Sequence, residues 1–203
     1  MKKDAGQIIG LYRRNAQVWA DLRGSAMPER RWLQKFMDLL PNASSVLDLG
    51  CGSGRPIAQH LSKNGVNVIG VDASPELIEI ARKTLPDAQL VVADMRHLRL
   101  GARTDGIVAW NSTFHLTPED QRRMFPIFAR HAKKGAALIF TSGSSGSRHG
   151  DAIGVFEGEP LYHASLDPEE YRSLLDQNGF DLIDYVLEDP DCGYHSVWLA
   201  RST

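Results

Sequence analysis

The 203-residue chain carries 23 Lys and Arg against 25 Asp and Glu, a net charge of −2, with 42% hydrophobic and 24% charged residues. That is enough apolar material for one core, too little charge for a disordered chain, and no electrostatic footprint for a nucleic-acid backbone. No apolar run approaches the ~20 residues that span a bilayer. The first residues lack a secretory signal, and Cys51 and Cys192 offer neither a disulfide framework nor a zinc spacing. The pairs Arg13-Arg14, Arg30-Arg31 and Arg122-Arg123 are short and scattered, as on solvated helix faces. A single cytoplasmic domain over residues 1–203 is expected, without a nucleic-acid, membrane or metal partner.

In chain order, an apolar stripe through Ile8, Ile9, Tyr12, Ala16 and Trp19 predicts a helix from about Ala5 to Arg23. A second helix follows Pro28. Ser45–Leu49 reads as a strand, Arg55–Lys63 as a helix and Val66–Val71 as the next strand. Ser74-Pro75 opens another helix with a cap residue and a proline pre-set for the first turn. Leu90–Ala93, Gly106–Trp110 and Ala137–Thr141 are further strands, with a helix over Pro118–His131 before the last. The glycine- and serine-rich stretch from Ser142 to Ser147 reads as a flexible loop running towards Glu157-Gly158-Glu159-Pro160. Asp167-Pro168 starts a helix that stops at Asn178-Gly179. Phe180–Leu187 and Ser196–Ala200, with only a short link between them, should pair antiparallel. Alternating strands and helices imply a parallel sheet covered on both faces.

The strongest chemical signal is Val46-Leu47-Asp48-Leu49-Gly50-Cys51-Gly52-Ser53-Gly54, an apolar strand running into glycines just before a helix. Glycines permit a tight turn, close approach of a ligand and exposed amide N–H groups near a helix start. Asp72 ends the following strand, where a carboxylate suits ribose hydroxyls in the crevice beyond the strand ends. A dinucleotide fingerprint would need a third glycine where Arg55 stands, and the Gly-Lys-Ser/Thr of a P-loop is absent. The pattern instead resembles the first motif of class I S-adenosylmethionine-dependent methyltransferases, an acidic residue followed by glycines at alternate positions. Gly70-Val71-Asp72-Ala73-Ser74, Val92-Ala93-Asp94-Met95 and Asp105–Ala109 look like that family's second, third and fourth strand ends. Ala132–Ala137 departs slightly from its Leu-Lys-Pro-Gly-Gly turn.

The resemblance implies an α/β, doubly wound Rossmann-like fold: five parallel strands plus a C-terminal antiparallel hairpin, seven strands in all. Residues 1–40 would form an N-terminal helical lid and residues 143–166 an insertion near the acceptor pocket. It implies S-adenosyl-L-methionine as cofactor and a small-molecule methyl acceptor, with oligomeric state open. A binder of the cofactor without transfer activity is the alternative. Carried over residue by residue, Asp72 holds the ribose diol, Asp94 the adenine amino group, and Met95 and Ala73 wall the adenine. Asp48 orders the glycine turn, Gly50 and Gly52 approach the methionine moiety with Cys51 between them, and Asn111 lies near the sulfonium. Asp94 could equally cap the segment after it. Tyr12 either faces the methionine moiety or joins the core, where Trp19 is expected.

For proton removal from an acceptor, His115 leaves the fourth strand at the right edge and titrates near neutrality. It is either a general base or an anchor for its loop. Tyr162 and His163, with Glu157, either line the acceptor pocket or belong to an ordinary surface loop. His60, His97 and His131 are expected on helix or loop surfaces. Asn111-Ser112-Thr113-Phe114 lacks the Asn/Asp-Pro-Pro-aromatic of base-flipping enzymes.

Overall fold

A computed structural model describes residues 5–143 and 150–203. The stretch 144–149, where most of the glycine- and serine-rich loop was expected, lies outside the described residues. Three short helices come first: α1 (Ile8–Arg14), α2 (Ala16–Arg23) and α3 (Arg30–Asp38). The single helix expected over 5–23 is broken at Asn15, which leaves helical dihedrals (φ −111°, ψ 22°). Its side-chain amide donates to the Leu11 carbonyl at 3.1 Å, a local bond that competes with helix continuation.

The remainder alternates: β1 (Ser45–Leu49), α4 (Ile57–Lys63), β2 (Asn67–Asp72), α5 (Pro75–Thr84), β3 (Gln89–Val92), β4 (Thr104–Ala109), α6 (Pro118–His131) and β5 (Ala132–Ser142). Then come β6 (Gly150–Phe156), β7 (Glu159–Ser165), α7 (Pro168–Gln177), β8 (Phe180–Asp189) and β9 (His195–Ser202). Seven strands form one sheet in the order β3-β2-β1-β4-β5-β9-β8. The first five run parallel, while β9 pairs antiparallel with both β5 and β8.

The central strands read as continuous apolar runs because both sheet faces are covered. Leu47, Leu49, Ile107, Leu138 and Phe140 turn towards Met124, Phe125 and Phe128 of α6 and Tyr171 of α7. Their neighbours Val46, Val108, Ala137 and Ile139 turn the other way, onto Trp32 and Phe36 of α3 and Leu61 of α4. Two helices start where expected, Ser74 Oγ accepting from Leu77 N at 3.1 Å and Asp167 Oδ1 from Glu169 N at 2.9 Å, and a third is capped by Thr117, whose Oγ1 accepts from Asp120 N at 3.2 Å. Each is followed by a proline in the first turn.

Two further expectations fail. His131 is not on the surface: it is fully buried, its Nε2 accepting from Leu100 N at 3.0 Å. The region before Glu157 is not simply a loop either, because β6 and β7 make a hairpin whose register places Phe156 opposite Glu159. Glu157 and Gly158, at φ 49° and 76°, form its two-residue turn. Positive φ at both positions matches the right-handed twist of a hairpin. The hairpin stands apart from the main sheet.

Strand order reverses at β1, flanked by β2 on one side and β4 on the other. The C-terminal ends of these strands therefore diverge and leave a crevice there.

Candidate functional site

That crevice is a cavity walled by the ends of β1, β2, β3 and β4 and covered by α1 and α2. The bend after β1 forms its floor. Gly50 (φ 79°) and Gly52 (φ 55°) hold the left-handed conformation that a side chain disfavours. A Cβ on Gly50 would stand 2.4 Å from Ser112 Cβ, so glycine is required for the β1 and β4 ends to touch. At Gly52 the nearest atom is Trp19 Nε1 at 3.6 Å, and that side of the backbone opens on the cavity.

Four amide groups of this bend are engaged within the protein, contrary to the expectation of exposed donors. Gly50 N and Cys51 N both donate to the Val71 carbonyl, at 2.8 and 3.1 Å. Gly52 N donates to Asp72 Oδ2 at 2.9 Å and Gly54 N to the Cys51 carbonyl at 2.9 Å. The amides of Gly50, Cys51, Gly52 and Gly54 are thus tied up within the bend and at the end of β2.

Charge points the same way. Asp48 and Asp72 both line the cavity beside the bend. Burial pushes the Asp48 carboxyl up to about 7, the charge of Asp72 adds to this, and Arg23 opposes it. Asp72 is also raised by burial, against the N–H groups of Ser74, Gly52 and Ala73 that favour its charged form. Arg23 at the cavity wall is engaged by the carboxylate of Glu29, which is itself buried. Two carboxylates at the floor disfavour a pyrophosphate and suit a cation.

On the other side, Asp94 and Met95 follow β3, and both line the cavity with Ala73. Asp94 caps its own turn, accepting from Arg96 N at 2.9 Å, and also lines the cavity. Burial raises its carboxyl, but the Arg96 hydrogen bonds outweigh this and leave it below the ordinary range. Asn111 sits just past β4 at φ 48°. Its N–H donates to Thr141 Oγ1 at 2.8 Å, and that hydroxyl in turn donates to Asn111 Oδ1 at 3.3 Å.

Tyr12 and His115 also line the cavity and meet each other. Nδ1 of His115 lies 2.8 Å from the Tyr162 carbonyl, which can only accept, so Nδ1 carries the proton. Nε2 then accepts from the Tyr12 hydroxyl at 2.9 Å. Burial lowers the His115 imidazole to about 3, only partly offset by the Tyr162 carbonyl, so it is neutral. Burial likewise raises the Tyr12 phenol. Tyr162 is 1% exposed, packed with Ile8 and Ala164, and His163 lies against His115 and Phe114 at 4.7 and 5.3 Å between ring centroids. Neither side chain is on the cavity wall. Glu157 is on the hairpin turn, exposed.

Trp19 is not a core residue; half-buried, it lines the cavity and meets Tyr12 edge-on at 5.2 Å. Phe156 of the hairpin packs behind both, at 6.2 Å from Tyr12 and 5.8 Å from Trp19. Sequence reasoning also passed over Arg96 and Asp120, which the cavity wall includes. Arg96, two residues after Asp94, was the one signal available. Among the described residues no cluster of His, Cys, Asp or Glu could hold a metal, and no helix is long and apolar enough to cross a membrane.

Comparison with known proteins gives a consistent picture. Residues 46–135 match the family profile described as a methyltransferase domain. A dTDP-3-amino-3,4,6-trideoxy-alpha-D-glucopyranose N,N-dimethyltransferase of Streptomyces venezuelae is 35% identical over 101 residues, 49% of this chain and 42% of that one. A trans-aconitate 2-methyltransferase of Azoarcus sp. is 35% identical over 100 residues, 49% of this chain and 39% of that one. The matched segment thus spans less than half the length of these relatives. Among solved structures, a Burkholderia thailandensis 1,6-didemethyltoxoflavin-N1-methyltransferase, holding 1,6-didemethyltoxoflavin and S-adenosylhomocysteine, superposes with a TM-score of 0.77 at 19% identity. That match covers 100% of this chain and 90% of the other. An S-adenosylmethionine-dependent methyltransferase from Clostridium acetobutylicum gives 0.74 at 16% identity, covering 95% and 99%.

Proposed function

Because residues 46–135 match the methyltransferase-domain profile, we propose that the protein binds S-adenosylmethionine and methylates a small molecule. The observation that carries this reading is the floor of the cavity, where a glycine bend with four of its amides engaged by the protein lies beside the buried Asp48 and half-buried Asp72 carboxylates. The two carboxylates suit a cationic adenosyl compound and oppose a dinucleotide pyrophosphate.

Asp72 would hold the ribose hydroxyls with the oxygen lone pairs left over from Gly52 and Ser74. Asp94 would accept from the adenine amino group, with Met95 and Ala73 against the ring. Asp48, Cys51 and the glycines would flank the amino-acid end. Asn111 and Tyr12 would border the reacting end. Bound there, the cofactor supplies a methyl group on a positively charged sulfur, which an acceptor can displace in line without a metal. The chain's own task is alignment and exclusion of water. Residues 1–40 would cover the cofactor and residues 143–166 would border the acceptor.

His115 serves this reading as a holder of Tyr12 rather than as a base. Both its nitrogens are engaged and it stays neutral, so it has no lone pair to offer an acceptor. Tyr162 contributes through its carbonyl, and His163 supports the His115 ring from behind.

The test is thermal melting with S-adenosylmethionine, S-adenosylhomocysteine and NAD added separately. Stabilisation by the first two and not by NAD supports the reading. Asp72→Ala should fold and lose that stabilisation; retained affinity would overturn the ribose role. Release of S-adenosylhomocysteine with candidate small-molecule acceptors separates an enzyme from a binder.

A further inference from the structure

Arg96 makes more contacts than a rim arginine needs. Its Nε lies 3.0 and 3.1 Å from the two oxygens of Asp94, and Nη2 lies 2.6 Å from Oδ2. Nη1 turns the other way and donates to Asp120 Oδ2 at 3.1 Å. The backbone N–H of Arg96 completes the set at Asp94 Oδ1, 2.9 Å. All three residues line the cavity, as do Met95, Leu116 and Thr117.

One guanidinium thus spans two carboxylates from different elements, the turn after β3 and the first turn of α6. A planar fork fixes a carboxylate in rotation as well as in place, which an ammonium cannot do. With Arg96 and the backbone holding one side of the Asp94 carboxylate, its remaining acceptor lone pairs are left for the cavity. Without the fork, Asp94 would keep the backbone N–H of Arg96 but lose the planar clamp on its second oxygen, and Asp120 would keep only Arg123.

We propose that Arg96 is the positioning residue for base recognition, orienting Asp94 so that the site reads the exocyclic amino group of a 6-aminopurine. This rests on the cofactor reading above and deepens it: the site selects against a 6-oxopurine because of the Arg96 fork. Arg96 touches Asp94 rather than the reacting atoms, so its effect is on cofactor selectivity. The acceptor step is untouched by it.

The probes are S-adenosylhomocysteine and S-inosylhomocysteine, which differ at the purine 6-position, where an amino donor is replaced by an oxygen. Calorimetric Kd values are measured for both on the wild type, Arg96→Ala, Arg96→Lys and Arg123→Ala. The wild type should prefer the adenosyl compound by about tenfold or more, the scale of a hydrogen bond to a charged group. Arg96→Ala should reduce that preference to within about threefold, and Arg96→Lys, which keeps the charge but loses the fork, should recover only part of it. Arg123 also reaches Asp120, with Nη1 at 3.2 Å, but is not on the cavity wall. Arg123→Ala should therefore keep the full preference, which a general loosening of α6 would not allow. Melting curves without ligand confirm that each variant is folded.

Binding of neither compound by the wild type would sink the cofactor reading itself. A wild-type preference that survives intact in Arg96→Ala and Arg96→Lys would overturn the role of Arg96 while leaving the cofactor reading standing.

Discussion

The hydroxyl of Tyr12 donates to Nε2 of His115 across 2.9 Å, joining the first helix to the tip of the fourth strand. The same imidazole is held from behind by the Tyr162 carbonyl of the hairpin. One ring therefore locks together three segments far apart in sequence. Its burial keeps it neutral, so the lock does not open at ordinary pH.

Removing the hydroxyl should show this. Tyr12→Phe leaves Nε2 buried without its donor, at an expected cost of about 1–3 kcal/mol. Urea denaturation at pH 7 measures it. A midpoint unchanged from the wild type would mean that the bond adds nothing to the fold.

The neutral ring also fixes an expectation about pH. Cofactor-saturated turnover should show no inflection from His115 between pH 5 and 8, because its imidazole is held down to about 3. An inflection near 6.5 that vanishes in His115→Gln would restore it as a titrating base.

Asp48 gives the opposite case. Its carboxyl is raised to about 7, so its ionised form is disfavoured in the folded protein. The sign follows: no penalty exists below the unfolded value near 4, and stability is lost as pH climbs from there through about 7. Asp48→Asn should therefore gain stability over the wild type at pH 8 and little at pH 4.5, by up to about 2–4 kcal/mol. Binding of a cation favours the charged carboxylate, so affinity for S-adenosylmethionine should rise as pH rises towards 7 and above, with proton release. Calorimetry in two buffers of different ionisation enthalpy reads that release, and Asp48→Asn should abolish it.

The two glycines of the bend should part company. Gly50→Ala meets both a left-handed backbone and Ser112 Cβ at 2.4 Å, and should destabilise the fold by several kcal/mol, roughly 3. Gly52→Ala carries the backbone strain alone, since its Cβ has room apart from Trp19 at 3.6 Å. It should cost roughly 1 kcal/mol of stability and a larger share of ligand affinity. Paired melting and calorimetry separate the two. Equal losses in both assays would refute the distinction.

Local chemistry alone located the strands, the capped helices at Ser74 and Asp167, and the glycine bend with Asp72, because each depends on neighbours in the chain. Strand length and periodicity decide whether an apolar run is covered on both faces, so the α/β order was legible too. The hairpin of β6 and β7 was not. Its turn is Glu157-Gly158 rather than a stronger Asn-Gly signal, and Ile153 and Val155 alternate on a face that remains exposed, at 51% and 75%. Nor could the sequence show where donors and charges go. Whether the amides of the bend face a ligand or Val71, whether His115 holds a free lone pair or Tyr12, and whether Arg96 spans Asp94 and Asp120 are relations between distant segments. Only the packing of the sheet, which brings the strand ends within a few ångströms, decided them.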